Sequence, residues 1–247
     1  RLGQLEAILQ AALDETDTTV QRTWLSGLLT RSEAVNALIK HGHFARVLGV
    51  AEKKLTGNTL SSIFQSLLSH PQAVNYFADN DRIEVLWKLL DDARHPSQRP
   101  YLVSRFASSD RLMKLIAEKG QLDRLLKEVR NSSSASYRRS LENRILFSSG
   151  TLEGLAAKGT LSIVFEHTKK EGDEATRRQC LQAFAYRPAN RKHLAESAVA
   201  EQFVALIKQE DERYRTGYAM QLLNDSYLRR KWVESGKVEV LEEIISL

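Results

Sequence analysis

The sequence predicts an all-α fold built from tandem repeats of about 39 residues. Its 247 residues include only 4 Pro and 12 Gly, too few turn-forming residues for a fold of many short strands. Apolar residues recur at the i, i+3, i+4, i+7 spacing of helices that bury one face. In addition, a glycine-centred pattern returns at a nearly constant step along the chain, which is the signature of a repeat architecture.

The repeat is centred on a marker residue that is usually glycine. In the stretch LIAEKGQLDRLL (115–126), Gly120 separates two apolar patches. Steps of 39 residues from Gly120, with one last step of 38, reach the other markers: Gly3, Gly42, Asp81, Gly159, Ala198 and Gly236. Glycine just past a helix end adopts positive φ without a Cβ penalty. We therefore expect a corner between two helices at each marker, built differently at Ala198.

Two apolar columns accompany the markers. The first lies four places before the marker and comprises Leu38, Phe77, Ile116, Leu155, Leu194 and Trp232. The second lies two places after it and comprises Leu5, Phe44, Ile83, Leu122, Leu161, Ala200 and Val238. Because chance does not keep a column apolar over so many steps, we expect both columns to form the core.

Each repeat is predicted to contain three helices. In one repeat they cover 33–41, 43–53 and 58–69, and polar segments such as 169–174 are predicted to be loops between helices. The repeats form a single domain with these limits: 1–32 (partial), 33–71, 72–110, 111–150, 151–189, 190–226 and 227–247 (partial). Because the chain begins and ends within a repeat, we expect it to be part of a longer protein.

A short helix, a glycine and two longer helices resemble the armadillo repeat, to which the HEAT repeat is closely related. Residues 37–71, ALIKHGHFARVLGVAEKK through NTLSSIFQSLLSHP, carry the resemblance, which covers nearly the whole chain. It implies a right-handed α-solenoid of about six repeats whose third helices line a concave surface. The third helices lack the Trp and Asn pair with which nuclear-import armadillo proteins bind basic signals, so the resemblance does not extend to that role.

A polar column runs along the predicted third helices. It comprises Ser26, Gln65, Ser104, Asn143, Gln182 and Gln221, and we call these six residues the polar ladder. Beside it lie arginines and tyrosines: Arg105, Arg139, Arg144, Arg178, Tyr101, Tyr186 and Tyr218. Amide side chains offer a donor and an acceptor to a peptide backbone, and arginine pairs with carboxylates. These residues predict a peptide-binding groove, unless the ladder is only the solvated face of each helix.

The predicted function is a non-enzymatic protein-interaction scaffold. Its groove would bind an extended peptide or an acidic protein segment. Two alternatives remain open: a HEAT-like nucleic-acid-binding module of the helical-repeat DNA glycosylase type, and a purely structural spacer. The glycosylases place a catalytic carboxylate in the groove, where this sequence has only Asp225 at the end of the stripe. The sequence also lacks a Gly-rich phosphate loop and the HExxH and GxSxG motifs, so no catalytic residue is predicted.

No cofactor or metal site is predicted. Four histidines share no metal-ligand spacing and are expected to be solvent-exposed: His70, His95, His167 and His193. Cys180, the single cysteine, falls in an apolar column with Ile63, Leu102 and Leu141 and is expected to be a buried structural thiol. Trp24, Trp87 and Trp232 also fit apolar columns and are expected in the core.

Composition limits the compartment and the partners. A single cysteine excludes an internal disulfide, which favours the cytoplasm over an oxidising compartment. No apolar run approaches the roughly 20 residues that span a bilayer, so we expect no membrane insertion. The net charge of +5 is modestly basic, which allows a nucleic-acid partner but fits a protein or peptide partner better.

Overall fold

The computed structural model describes residues 2–54, 57–91, 98–131 and 134–247. These residues form nineteen α-helices and no β-strand, so the all-α prediction is confirmed. The chain divides into two compact units, residues 1–112 and 113–247, and the boundary falls within α9 (Asp110–Glu118). None of the described helices is both long enough and apolar enough to cross a membrane.

The first unit contains eight helices before α9: α1 Leu2–Asp14, α2 Thr18–Thr30, α3 Ser32–Lys40, α4 Phe44–Lys54, α5 Gly57–Leu67, α6 Pro71–Asp79, α7 Ile83–Asp91 and α8 Gln98–Phe106. The second unit contains ten helices after α9: α10 Leu122–Arg130, α11 Ala135–Leu146, α12 Ser149–Ala157, α13 Ser162–Glu171, α14 Glu174–Ala185, α15 Pro188–Glu196, α16 Ala200–Ile207, α17 Glu212–Leu223, α18 Ser226–Glu234 and α19 Val238–Ile245.

Helices in each unit follow a three-helix period. The predicted helices 33–41, 43–53 and 58–69 match α3, α4 and α5 within two residues at each end. In the first unit α2 packs against α5 and α3 against α6. In the second unit α12 packs against α15, α14 against α17, α15 against α18 and α16 against α19. A helix thus packs against its counterpart three helices along the chain, as expected when each repeat contacts its neighbour.

The glycine markers form the corners that the sequence predicts. Gly42, Gly120, Gly159 and Gly236 have φ between 69° and 75°, and Asp81 has φ of 53°. At each of these corners the residue after the marker donates its backbone N–H to the carbonyl four places before the marker. Examples are His43 to Leu38 (2.8 Å) and Gln121 to Ile116 (3.0 Å). This bond is the 6→1 bond of the Schellman motif, which closes the end of a helix.

Two markers depart from this geometry. Ala198 does not adopt positive φ, and its neighbours Ser197 and Val199 have φ of −103° and −105°, so the predicted difference at this corner is confirmed. Gly3 lies in the first turn of α1 and not between two helices.

The predicted loop at 169–174 is shorter than expected, because α13 continues to Glu171. Gly172, with φ of 66°, then ends the helix.

The apolar columns form the core with a few exceptions. All six residues of the column before the marker are buried. In the column after the marker Phe44, Ile83, Leu122, Leu161 and Ala200 are buried, whereas Val238 is 44% exposed and the side chain of Leu5 lies outside the described residues.

The three tryptophans do not all lie in the core. Trp87 and Trp232 are buried as predicted, but Trp24 is 42% exposed. The buried face of α2 instead includes Gln21, whose amide donates to the carbonyls of Ala12 and Leu13 at 3.4 and 3.3 Å. These carbonyls belong to the last turn of α1, where backbone acceptors lack helical partners. Gln21 therefore takes the inward position beside α1, and Trp24 lies at the edge of the buried face.

Two glycines of the first unit allow a matched test of the corner. A Cβ added at Gly42 or at Gly49 would meet no atom within 4 Å, so only backbone conformation distinguishes the two sites. Gly42→Ala should lower the free energy of unfolding by about 1–2 kcal/mol, because alanine is strained at positive φ. Gly49→Ala, inside α4, should raise it by about 0.5–1 kcal/mol, because alanine favours helix. Urea unfolding measures both, and changes of the same sign would contradict the corner geometry.

Candidate functional site

The polar ladder lies on the predicted third helices, which are α2, α5 and α8 in the first unit and α11, α14 and α17 in the second. Its members differ in exposure. Gln182 is exposed, four members are partly buried, namely Ser26, Gln65, Ser104 and Gln221, and Asn143 is buried. The ladder is therefore not a uniform solvated stripe.

Asn143 is a structural residue, and the prediction that it faces a groove is wrong. It is only 3% exposed, and its amide donates to the Thr176 hydroxyl at 3.0 Å. That hydroxyl donates in turn to Asp173 at 2.8 Å. A buried amide needs a hydrogen-bond partner, and Thr176 provides one for Asn143. The bond connects α11 to the first turn of α14. A ligand at the surface cannot reach it.

Arg139 is exposed and lies near the same contact between α11 and α14. Its Nε lies 3.7 Å from Oδ2 of Asp173, the N-cap residue of α14. Burial opposes ionisation of Asp173, but hydrogen bonds from the backbone and hydroxyl of Thr176 and the charge of Arg139 hold its pKa below the ordinary value. The positive charge of Arg139 is thus balanced in part by the protein itself.

Arg178 belongs to an ion-pair network around a buried carboxylate. The side chain of Glu210 is fully buried and accepts from Arg177 Nε at 2.5 Å and from Arg178 Nε at 2.8 Å. Arg178 also pairs with Glu174 at 2.5 Å, and its guanidinium lies 4.1 Å from the ring centroid of Tyr214. Burying a carboxylate without a partner costs free energy of folding. Arg178 pairs with Glu210 and so stabilises the fold, which makes it less available to a ligand.

The predicted groove tyrosines have different environments. Tyr101 is 45% exposed and accepts two hydrogen bonds from Arg105 on the same helix, at 3.0 and 2.7 Å. Tyr186 is 51% exposed, whereas Tyr218 is 2% exposed, which makes its predicted role in the groove wrong. Burial raises the pKa of the Tyr218 hydroxyl to about 12. The rings of Tyr186 and Tyr218 lie 5.8 Å apart, so the buried ring supports the exposed one.

α14 and α17 together form a mixed amide and aromatic surface. Gln182 lies in the last turn of α14, and Tyr186 is the C-cap residue one turn beyond it, so the two share a face. The Tyr186 hydroxyl reaches Gly217 of α17, where an added Cβ would lie 3.6 Å from it. Gln221 lies one turn beyond Gly217. We call Gln182, Tyr186, Gly217 and Gln221 the α14–α17 patch; Arg144, on α11, is also exposed in this unit.

A cleft of about 680 Å³ opens in the second unit at the irregular Ala198 corner. Its charged and polar lining includes Lys114, Glu153 and His193. The ammonium of Lys114 donates to Glu153 at 2.5 Å, and this hydrogen bond raises the pKa of Lys114. Desolvation lowers the pKa of His193, so its ring is neutral at pH 7. The sequence pattern indicated an unusual corner here but not a cleft.

A third group of polar side chains lies between α11 and α13. One donor atom from each of Glu142, His167 and Glu171 lies within 4.8 Å of the other two. Glu142 is 8% exposed and accepts from Arg130 at 3.2 Å. Burial lowers the pKa of His167. The sequence signal for this group was the four-residue spacing of His167 and Glu171, which places both on one face of a helix.

The described histidines that were expected to be solvent-exposed, namely His70, His167 and His193, are partly buried. His95 lies outside the described residues. Cys180 is fully buried, as are Ile63, Leu102 and Leu141 of its column, so the prediction of a structural thiol is confirmed. Desolvation raises the pKa of Cys180 to about 12.

Comparison with protein families, with curated proteins and with solved structures finds no match to this chain.

The ion pair of Asp225 should make the stability of the second unit depend on pH. Asp225 caps α18 through the Leu228 N–H at 3.0 Å and accepts from Arg191 at 2.6 Å. Although burial opposes its ionisation, these bonds lower its pKa below 3.8. Its stabilisation is thus present above about pH 4 and is lost as the pH falls through the lowered pKa.

Asp225→Asn should therefore reduce stability by about 1 kcal/mol at pH 7 and flatten the loss of stability below pH 4. Denaturant unfolding across pH 2–7 measures both effects. Ser148→Ala is a matched control, because it removes the N-cap of α12 without removing a titratable group. An Asp225→Asn profile parallel to that of the wild type would contradict the role given to Asp225.

Cys180 should not react with thiol reagents while the second unit is folded. Only the thiolate is nucleophilic, and a buried thiol with a pKa of about 12 is almost entirely protonated at pH 8. Dithionitrobenzoate should label the native protein at least a hundredfold more slowly than the urea-unfolded protein. Because the sequence has one cysteine, the reaction has a single possible site, and equal rates would show that Cys180 is accessible.

Proposed function

We propose that this chain is a non-enzymatic protein-interaction scaffold of the armadillo or HEAT type, an α-solenoid that binds an extended peptide along its third helices. The observation that carries the proposal is the α14–α17 patch, where an exposed amide and an exposed aromatic ring at the C-terminal end of one third helix adjoin the next third helix. The three-helix period within each unit supports the same architecture.

The chemistry of the patch suits a peptide backbone. The amides of Gln182 and Gln221 can each donate to a peptide carbonyl and accept from a peptide N–H. Tyr186 offers a broad apolar ring with a polar end, a residue type enriched among interface anchors. Its contacts with Tyr218 and Gly217 hold the ring before a ligand arrives, which reduces the entropy lost on binding.

The charges favour a peptide over a nucleic acid. Nucleic-acid binding depends on cations that are free to neutralise phosphates. Here Arg178 is committed to Glu210, and Arg139 is close to Asp173. An acidic residue in the peptide is compatible with the exposed Arg139 and Arg144, but hydrogen bonds from the patch are the larger contribution. Binding should consequently weaken only slightly as salt is raised.

The test is selection of peptides from a displayed random library, followed by affinity measurement on purified variants. Tyr186→Ala should weaken a selected peptide about tenfold or more through loss of the anchor. Gln182→Ala should weaken it about fivefold, which corresponds to about 1 kcal/mol for one lost hydrogen bond. Both side chains are exposed, so unfolding should shift by less than about 0.5 kcal/mol.

Gln209→Ala is the matched control, because Gln209 is exposed in the same unit but lies beyond the end of α16 and outside the patch. It should bind the peptides like the wild type. If Tyr186→Ala and Gln182→Ala also bind like the wild type, the patch is not the peptide site. If the library yields no peptide while oligonucleotides bind with a steep salt dependence, the nucleic-acid alternative replaces the scaffold.

A further inference from the structure

We propose that Glu142, His167 and Glu171 form a binding site for a first-row divalent cation, with Zn²⁺ as the favoured ion. This site is independent of the proposed peptide surface. One nitrogen and two carboxylate ligands are a donor set that zinc accepts in proteins, with bonds of about 2.0–2.2 Å. The three side chains already converge, with one donor atom of each within 4.8 Å of the others.

Two elements bring the ligands together. His167 and Glu171 are four residues apart on α13, so they project from the same face of the helix. Glu142, the third ligand, comes from a different helix, α11, and its burial restricts the movement of its side chain. Glu171 is exposed and is free to rotate inward. This movement is needed, because ligands of one tetrahedral ion lie less than about 4 Å apart when its bonds have the usual length.

The environment of His167 indicates that a partner is missing. Its Nε2 is shielded from solvent and has no hydrogen-bond partner among the described residues. Buried polar atoms of native proteins almost always have a partner, and leaving one without is costly. A cation bound between the imidazole and the two carboxylates would supply this partner.

The surrounding charges set the strength of the site. Two carboxylates neutralise a divalent ion, and Arg130 holds Glu142 through Oε1, which leaves Oε2 for the metal. Such an outer partner fixes the orientation of a ligand. Arg130 and the neighbouring Lys170 also repel a cation, so affinity should be moderate. With three protein ligands, the fourth position would hold water.

Titration of the purified chain with Co²⁺, followed by visible absorption, tests the site. One equivalent of Co²⁺ should give the intense d–d bands of a low-symmetry site, and Zn²⁺ should displace it. Glu171→Gln should weaken binding of both ions at least tenfold. Because Glu171 is exposed, this variant should fold like the wild type, and thermal unfolding verifies that it does. His167→Gln should abolish the bands.

His41→Gln is the matched control, because it removes a partly buried histidine outside the group. It should bind Co²⁺ like the wild type. Zn²⁺ should also raise the melting temperature of the wild type and of His41→Gln but not that of Glu171→Gln, since a ligand that binds only the folded state stabilises it. The proposal is overturned if wild-type protein shows no d–d bands, or if Glu171→Gln binds Co²⁺ as tightly as the wild type does.

Discussion

One hydrogen bond controls the architecture of both units: the backbone bond that closes a helix across a left-handed marker residue. It requires positive φ at the marker, which explains the glycines at 42, 120, 159 and 236. It also fixes which residue lies on the inner side of the preceding turn, because the accepting carbonyl belongs to the apolar residue four places before the marker. The apolar residue two places after the marker then lies at the start of the next helix, and at four of the five markers with positive φ it is buried.

The Ala198 corner shows what happens when this bond is absent. α15 ends at Glu196 in extended backbone, and the carbonyl of Ser197 accepts from the ammonium of Lys237 at 2.6 Å. A side chain from 40 residues further along the chain thus replaces part of the local closure. The cleft that includes His193 opens beside this corner. The departure from the marker geometry therefore coincides with a cleft in the second unit.

Features that depend on local backbone geometry, such as helix limits and corners, could be predicted from the sequence. Features that depend on how closely neighbouring helices pack could not. Helix limits, corners and the burial of residues such as Ile116 and Cys180 follow from local apolar spacing and from the placement of the marker residues. The ladder does not behave as one set, since Asn143 is buried and Gln182 is exposed. A fixed step of 39 residues assigns both to one column, but it does not encode how closely the next helix approaches. The apolar columns also place Trp24 in the core, where Gln21 takes the inward position, and the ladder places Tyr218 at the surface, where it is buried.

Several charged side chains form ion pairs between helices that lie more than 30 residues apart in the sequence. Within the second unit, Arg177 pairs with Glu210, Arg191 with Asp225 and Lys114 with Glu153, over separations of 33, 34 and 39 residues. In the first unit Arg111 pairs with Asp79 over 32 residues. These separations are close to one repeat, so the pairs connect consecutive groups of helices. Each of these pairs contributes no net charge, so the net charge of +5 does not reveal them. Among the uncharged side chains of the second unit, Gln182 and Tyr186 are exposed, and the Tyr186 hydroxyl lies close to Gly217 of α17.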